Sequence, residues 1–171
     1  LTIVISPLIS LMKDQVEQLT QSGVAAAVLN SSLSPEAYRR NIRLVKQKEA
    51  KLLYLAPEAL LKSNMLELLS AVNIECLAID EAHCISQWGH DFRPEYQQLK
   101  ILADRFPGVP RIALTATADQ RTRQEIVEQL SLHQAKHFIH SFDRPNISYT
   151  IADGGQNKQK LWKFLELHPA N

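Results

Sequence analysis

Glycine is scarce in this sequence. Among 171 residues there are five, Gly23, Gly89, Gly108, Gly154 and Gly155, and none precedes a lysine. A phosphate cradle ending in Gly-Lys-Ser or Gly-Lys-Thr is therefore absent from these residues. Cysteine is scarcer still. Cys76 and Cys84 lack CxxC spacing, which argues against a disulfide framework or a cysteine zinc site and fits a reducing interior. No apolar run approaches the ~18 residues of a membrane span, so no membrane partner is expected. The net charge of +1 carries no global basic signature, so any nucleic-acid contact must be local. Repeats and low-complexity tracts are also missing. What remains is an ordinary globular composition, 45% hydrophobic and 22% charged, long enough for one domain with a real core.

Apolar strand runs alternate with amphipathic helices, the pattern of an α/β fold with a parallel sheet and helices on both faces. Strands are expected at Thr2–Ile5, Val24–Leu29, Lys51–Ala56, Cys76–Asp80, Arg111–Leu114 and His137–His140. The first helix is expected after Ser6 as N-cap and Pro7 as first helical residue, ending near Ser22 with Gly23 as the stop. Ser34-Pro35 repeats that start for a helix reaching about Lys48, and Pro57 opens a short one. A further helix begins near Asn64, with Glu67 placed for a capping box. Helices are also expected over Pro94–Phe106, Asp119–Leu130 and Lys158–Leu167, the last after a linker turn at residues 153–157.

The densest chemistry lies between Asp80 and Tyr96. Two adjacent carboxylates, Asp80 and Glu81, follow the apolar run Cys76-Leu77-Ala78-Ile79. Paired acids at a strand end suit a hard cation and an activated water. Trp88, Phe92, Arg93 and Tyr96 then follow closely. Aromatics beside an arginine suit stacking on nucleobases. The alternative is that Trp88 and Phe92, four apart, are core residues of a short helix; Gly89 and Pro94 argue instead for a loop. His83 has no second ligand at suitable spacing, so it is not expected to bind a metal. His133, His137, His140 and His168 form no constellation. Lys158, Lys160 and Lys163 read as a solvated helix face.

Asp80-Glu81-Ala82-His83 resembles the DEAH box, a Walker B variant, of superfamily 2 helicases. Its extension through Tyr96 resembles the aromatic-rich loop of RecQ-family ATP-dependent DNA helicases. Four further segments resemble family motifs in the family's order. They are residues 6–16 (motif Ia), Tyr54–Glu58 (motif Ib), Leu114–Ala118 (motif III) and Ser141–Ile147, the stretch leaving the first RecA-like domain. The resemblance implies a RecA-like P-loop NTPase fold lacking its phosphate-loop strand. Residues 1–149 would be part of the first RecA-like domain, and 150–171 a linker and the start of a second.

It also implies roles. Asp80 would hold Mg²⁺ and Glu81 would orient or deprotonate the attacking water. His83, Thr115 and Thr117 would face the ATP site; His83 would couple it to the DNA loop, and the two threonines would hydrogen-bond toward the acids and couple hydrolysis to domain movement. Trp88, Phe92 and Arg93 would sense DNA. Pro7, Leu8 and Ser10, at a helix start suited to phosphate, together with Pro57 and Glu58, would line a single-strand track. Simple capping is the alternative for the Pro7 segment, and a helix cap the alternative for Thr117. The implied cofactors are ATP and Mg²⁺. The implied partners are single-stranded and partially duplex DNA and, for the longer protein, a single-strand-binding protein. The implied location is the cytoplasm and nucleoid, or the nucleus of a eukaryote.

The phosphate loop and glutamine motif belong upstream of motif Ia, and Leu1 is not a start methionine. The expectation is a fragment of a 3′-to-5′ helicase of recombination and repair, inactive in ATP hydrolysis by itself. Without its phosphate-loop strand it should be marginally stable, swapped between chains, or stable only beside its missing piece. A monomer melting cooperatively above ~45 °C would count against that. The rival expectations are a non-catalytic single-stranded-DNA or partner-binding module and an RNA helicase of the wider superfamily.

Overall fold

A computed structural model describes residues 1–88, 91–140, 145–148, 151, 154–155 and 157–167. Residues 141–144 of the Ser141–Ile147 segment, Asp153 and Gln156 of the expected turn, and His168 lie outside the described residues. The chain divides into two compact units, residues 1–135 and 136–171.

The first unit is built on five parallel strands: β1 (Thr2–Ile5), β2 (Ala26–Leu29), β3 (Leu52–Leu55), β4 (Cys76–Ile79) and β5 (Arg111–Ala113). Their order is β2-β3-β1-β4-β5. Ile5 stands beside Leu55 on one side and Ile79 on the other, so these three strands end level. Among the described strands β5 pairs only with β4 and forms an edge. The middle strands are nearly continuous runs of Ile, Leu and Val, as expected of a sheet covered on both faces.

Alternation along each strand divides the core in two. Ile3, Ile5, Leu29, Leu53, Leu55, Leu77 and Ile79 pack in the larger cluster, on the side of α2 (Pro35–Lys46) and α4 (Ser63–Ser70). Val4, Tyr54 and Ala56 pack on the other side against Met12 of α1 (Ile9–Gln21). Gly23, at φ +77°, ends α1: its N–H donates to the Thr20 carbonyl and that of Val24 to Leu19. The φ favours glycine, the reason a stop was legible there.

Several local expectations are corrected. Ser6 does not cap α1, because its own N–H still donates to the Leu55 carbonyl in the sheet ladder. The helix starts at Ile9 with Leu8 in the N-cap position, and Ser6 is left fully buried with a hydroxyl lacking a partner. Lys62 occupies the N-cap of α4, so Glu67 sits too far along to close a capping box. The single helix expected over Pro94–Phe106 is two pieces, α5 (Pro94–Gln98) and α6 (Ile101–Arg105). Bonds from Leu99 to Tyr96 and from Leu102 to Leu99 tighten the chain between them, which buries Tyr96, Leu99 and Leu102 on one side. α3 (Pro57–Leu60) opens at its proline as expected. α7 (Gln120–Gln129) is capped by Asp119, whose carboxylate accepts from the Thr122 N–H at 2.7 Å; Thr117 plays no part.

In the second unit, residues 137–140 form no strand. Four residues of extended character need a pairing partner, which a local pattern cannot supply. α8 (Asn157–Leu167) is as expected, and its Trp162, Phe164 and Leu167 are exposed within this description. No helix among the described residues is long and apolar enough to cross a membrane.

Candidate functional site

Every family-like segment of the first unit leaves the carboxyl end of a strand. Ser6-Pro7 follows β1, Ala56-Pro57 follows β3, Asp80-Glu81 follows β4 and Leu114-Thr115 follows β5. This end is where parallel sheets bind ligands. Ladder bonds continue past the strands and lock the segments together. Asp80 donates its N–H to the Ile5 carbonyl at 2.8 Å, and Ala82 donates to Leu114 at 2.9 Å.

Asp80 is half-buried, and its Oδ1 accepts from the Glu81 N–H at 2.9 Å, which orients the carboxylate. Glu81 adopts φ +49°, ψ +42°. Such left-handed backbone is uncommon for a glutamate and collects at functional sites. It redirects the chain into the 3₁₀ turn Ala82–Ile85. The buried His83 closes the arrangement. Its Nδ1 lies 3.1 Å from Glu81 Oε2 and 3.0 Å from Thr115 Oγ1. With its proton on Nδ1 the ring donates to Thr115 and stands at ion-pair distance from the Glu81 carboxylate. Thr115 Oγ1 also accepts from the Thr117 N–H at 3.2 Å, while Thr117 itself is exposed. One hydrogen-bonded line therefore joins the β4 acids to the β5 turn.

A second line joins the same acids to the aromatic segment. Tyr96 is fully buried, and its hydroxyl donates to the Asp80 carbonyl at 2.9 Å. The Arg93 N–H donates to the Cys84 carbonyl, and its guanidinium donates to the Pro7 carbonyl at 3.2 Å. Its Nε lies 3.6 Å from Asp91 Oδ1, an ion pair too long for a hydrogen bond. Phe92 is half-buried. Trp88 is 71% exposed, with its backbone tied to the buried Ser86 hydroxyl. Of the expected single-strand track, Leu8, Ser10 and Glu58 are exposed and Pro7 and Pro57 are buried.

His83 does have companions that spacing missed. His83, Cys84 and Asp91 bring potential metal-ligand atoms within 4.8 Å of one another. Cys84 and Asp91 are seven residues apart, a spacing that does not reveal the contact. The Cys84 thiol donates to Asp91 Oδ2 at 3.6 Å. Burial first, and then the Asp91 charge, push this thiol up to about 12. Burial likewise raises the Tyr96 phenol above its ordinary range.

These shifts set a pH dependence. Above about pH 9.0 the unfolded chain releases the thiol proton that the folded chain keeps. The folded state then binds more protons, so stability falls as pH rises, by about 1.4 kcal/mol per pH unit for each such group. The contribution is complete below pH 9.0 and is lost as pH rises through the folded value of about 12. The urea midpoint should decline steadily from pH 9 upward. Cys84→Ala should delay the onset toward pH 10, where Tyr96 begins to act. A midpoint constant to pH 11 would contradict this.

Magnesium is the cation these residues fit. Asp80 offers a hard, pre-oriented carboxylate at a strand end, with a second carboxylate adjacent. Tyr96, Cys84 with Asp91, and the backbone of Glu81 are structural parts that motif reading did not single out as site residues. The left-handed glutamate carries no sequence signal.

A parallel α/β sheet with paired acids and a threonine turn at its strand ends defines a RecA-like NTPase core. The comparisons are more specific. A family described as DEAD/DEAH box helicase matches residues 1–126, and the chain belongs to that family. It is 49% identical over 165 residues to the ATP-dependent DNA helicase RecQ of Haemophilus influenzae, covering 96% of this chain and 27% of that protein. Against the Bacillus subtilis protein of the same name it is 42% identical, covering 94% and 27%. It is 39% identical to the ATP-dependent DNA helicase hus2/rqh1 of Schizosaccharomyces pombe, covering 96% and 13%. The chain thus spans about a quarter of the length of the bacterial relatives. The crystal structure of the Pyrococcus furiosus Hef helicase domain superposes with a TM-score of 0.51 at 18% identity, over 76% of this chain and 27% of that one. That likeness concerns the fold alone.

Proposed function

We propose that this chain supplies the magnesium and water side of the ATP site, and a DNA-sensing loop, to an ATP-dependent DNA helicase of RecQ type moving 3′ to 5′ in recombination and repair. The observation that carries this is the shared anchoring of the two halves: Tyr96, at the end of the aromatic segment, bonds to the carbonyl of Asp80. Asp80 would hold Mg²⁺, which when bound would supply neutralisation of the charge that develops in phosphoryl transfer. Glu81 would take a proton from the attacking water, held in place by His83. Thr115 would report on that carboxylate through the same imidazole. Trp88 and Phe92 would stack on bases. A DNA phosphate would compete with the Pro7 carbonyl for Arg93. Leu8, Ser10, Pro57 and Glu58 would follow the strand. ATP hydrolysis needs a phosphate loop contributed from outside these residues. The setting would be the cytoplasm and nucleoid, or a nucleus.

Stacking is worth ~1–3 kcal/mol per base, so Trp88→Ala and Phe92→Ala should each weaken binding of a labelled oligo-dT by about 5- to 150-fold. Fluorescence anisotropy measures this, and oligo-U should compete poorly. Unchanged affinity in both variants would remove the loop from DNA recognition, and equal competition by RNA would redirect the substrate.

A further inference from the structure

Trp88 is not free to point anywhere. The Arg121 guanidinium carbon lies 4.2 Å from the centroid of its ring, over one face. Arg121 stands on the first turn of α7, a firm post: Asp119 caps the helix, and Ile126 and Leu130 anchor it in the core. Glu125 Oε1, one turn further along the helix, lies 3.5 Å from Arg121 Nε and restrains the guanidinium. Trp88 is nevertheless 71% exposed. One face is covered and the rest of the ring remains open to solvent. A guanidinium over an indole is attractive because the cation meets the negative face of the ring. No motif contains Arg121.

We infer that Arg121 is a positioning residue for nucleic-acid recognition, holding Trp88 so that a base stacks on its open face to make an arginine–tryptophan–base sandwich. This rests on the reading of Trp88 as a base-stacking residue. A ring already fixed in one orientation loses less freedom when a base arrives, which raises affinity without a new contact to DNA. A planar guanidinium can also stack on the ring, which a compact ammonium cannot, so lysine should hold the ring less well.

The test uses the whole 171-residue chain carrying Trp162→Phe, so that Trp88 is its one tryptophan. Acrylamide quenching of Trp88 emission should rise in Arg121→Ala and in Arg121→Lys, before any DNA is added. Oligo-dT affinity should fall about two- to fivefold in both variants, the scale of an exposed cation–π contact. In a Trp88→Ala background the Arg121 substitutions should have no further effect. Several results would overturn the inference. Unchanged quenching means that the contact does not form in solution. An equal loss with and without Trp88, rescued by lysine, means that Arg121 meets phosphate directly. Tighter binding in Arg121→Ala means that the arginine blocks the ring. If Trp88→Ala weakens binding but Arg121→Ala does not, only this inference fails. If Trp88→Ala itself changes nothing, the stacking reading fails with it.

Discussion

Glu81→Gln is expected to cut ATP hydrolysis by about 10²- to 10⁴-fold, the contribution of a positioned general base, while nucleotide binding is retained. The assay belongs in a protein that joins this chain to a phosphate loop. Glutamine keeps the size of the side chain and one acceptor oxygen beside His83 Nδ1, which now lies 3.1 Å from Glu81 Oε2. It keeps the backbone requirement too, since glutamine meets the same steric cost as glutamate at φ +49°. What it cannot do is take a proton from water. The substitution therefore separates chemistry from architecture. Turnover within about threefold of the parent, at unchanged nucleotide affinity, would show that the base lies elsewhere. Loss of nucleotide binding with turnover would instead assign Glu81 a binding role.

Tyr96→Ala is expected to destabilise the first unit by about 3–5 kcal/mol, as for other large buried aromatics. The ring is fully buried among the residues of the larger core cluster, and its hydroxyl reaches the Asp80 carbonyl at 2.9 Å. Against a typical total stability of about 5–15 kcal/mol, this approaches global unfolding. Tyr96→Phe isolates the hydroxyl and should cost about 1–3 kcal/mol, because the carbonyl would lose a buried donor. Urea denaturation of the two variants beside the parent makes the comparison. A cost below about 1 kcal/mol for Tyr96→Ala would contradict the packing described. Equal costs for the two variants would place nearly all of the effect in the hydrogen bond.

These two residues differ in how visible they were. Glu81 was legible because Asp80-Glu81 follows an apolar run, and a strand followed by acids is a local pattern. Tyr96 was legible only as one of the aromatics near Arg93, and nothing in its neighbours named Asp80 as its partner. That contact spans 16 residues. Asp91 likewise meets Cys84, in a cluster that spacing had argued against for His83. Ser6 failed as a cap for the same kind of reason. Its residue type favours a helix start, but pairing with β3 claimed its backbone first. His137–His140 failed because a strand is a property of two segments, and a pattern describes only one.

Local physics is what the sequence alone determined. The apolar runs, the proline starts at Pro35, Pro57 and Pro94, and the Gly23 stop place the five parallel strands and most helix starts within a few residues of their observed bounds. The order of the DEAH-like segments identified the family, which the family match supports. Tertiary structure decided which strands are neighbours, and so which motifs meet. In the order β2-β3-β1-β4-β5 the acids of β4 lie between the Pro7 segment and the Thr115 turn. Arg93 then reaches Pro7 across 86 residues, and His83 reaches Thr115 across 32. Strand order is set by burying two apolar faces at once, a condition on the whole chain that no short window of sequence contains.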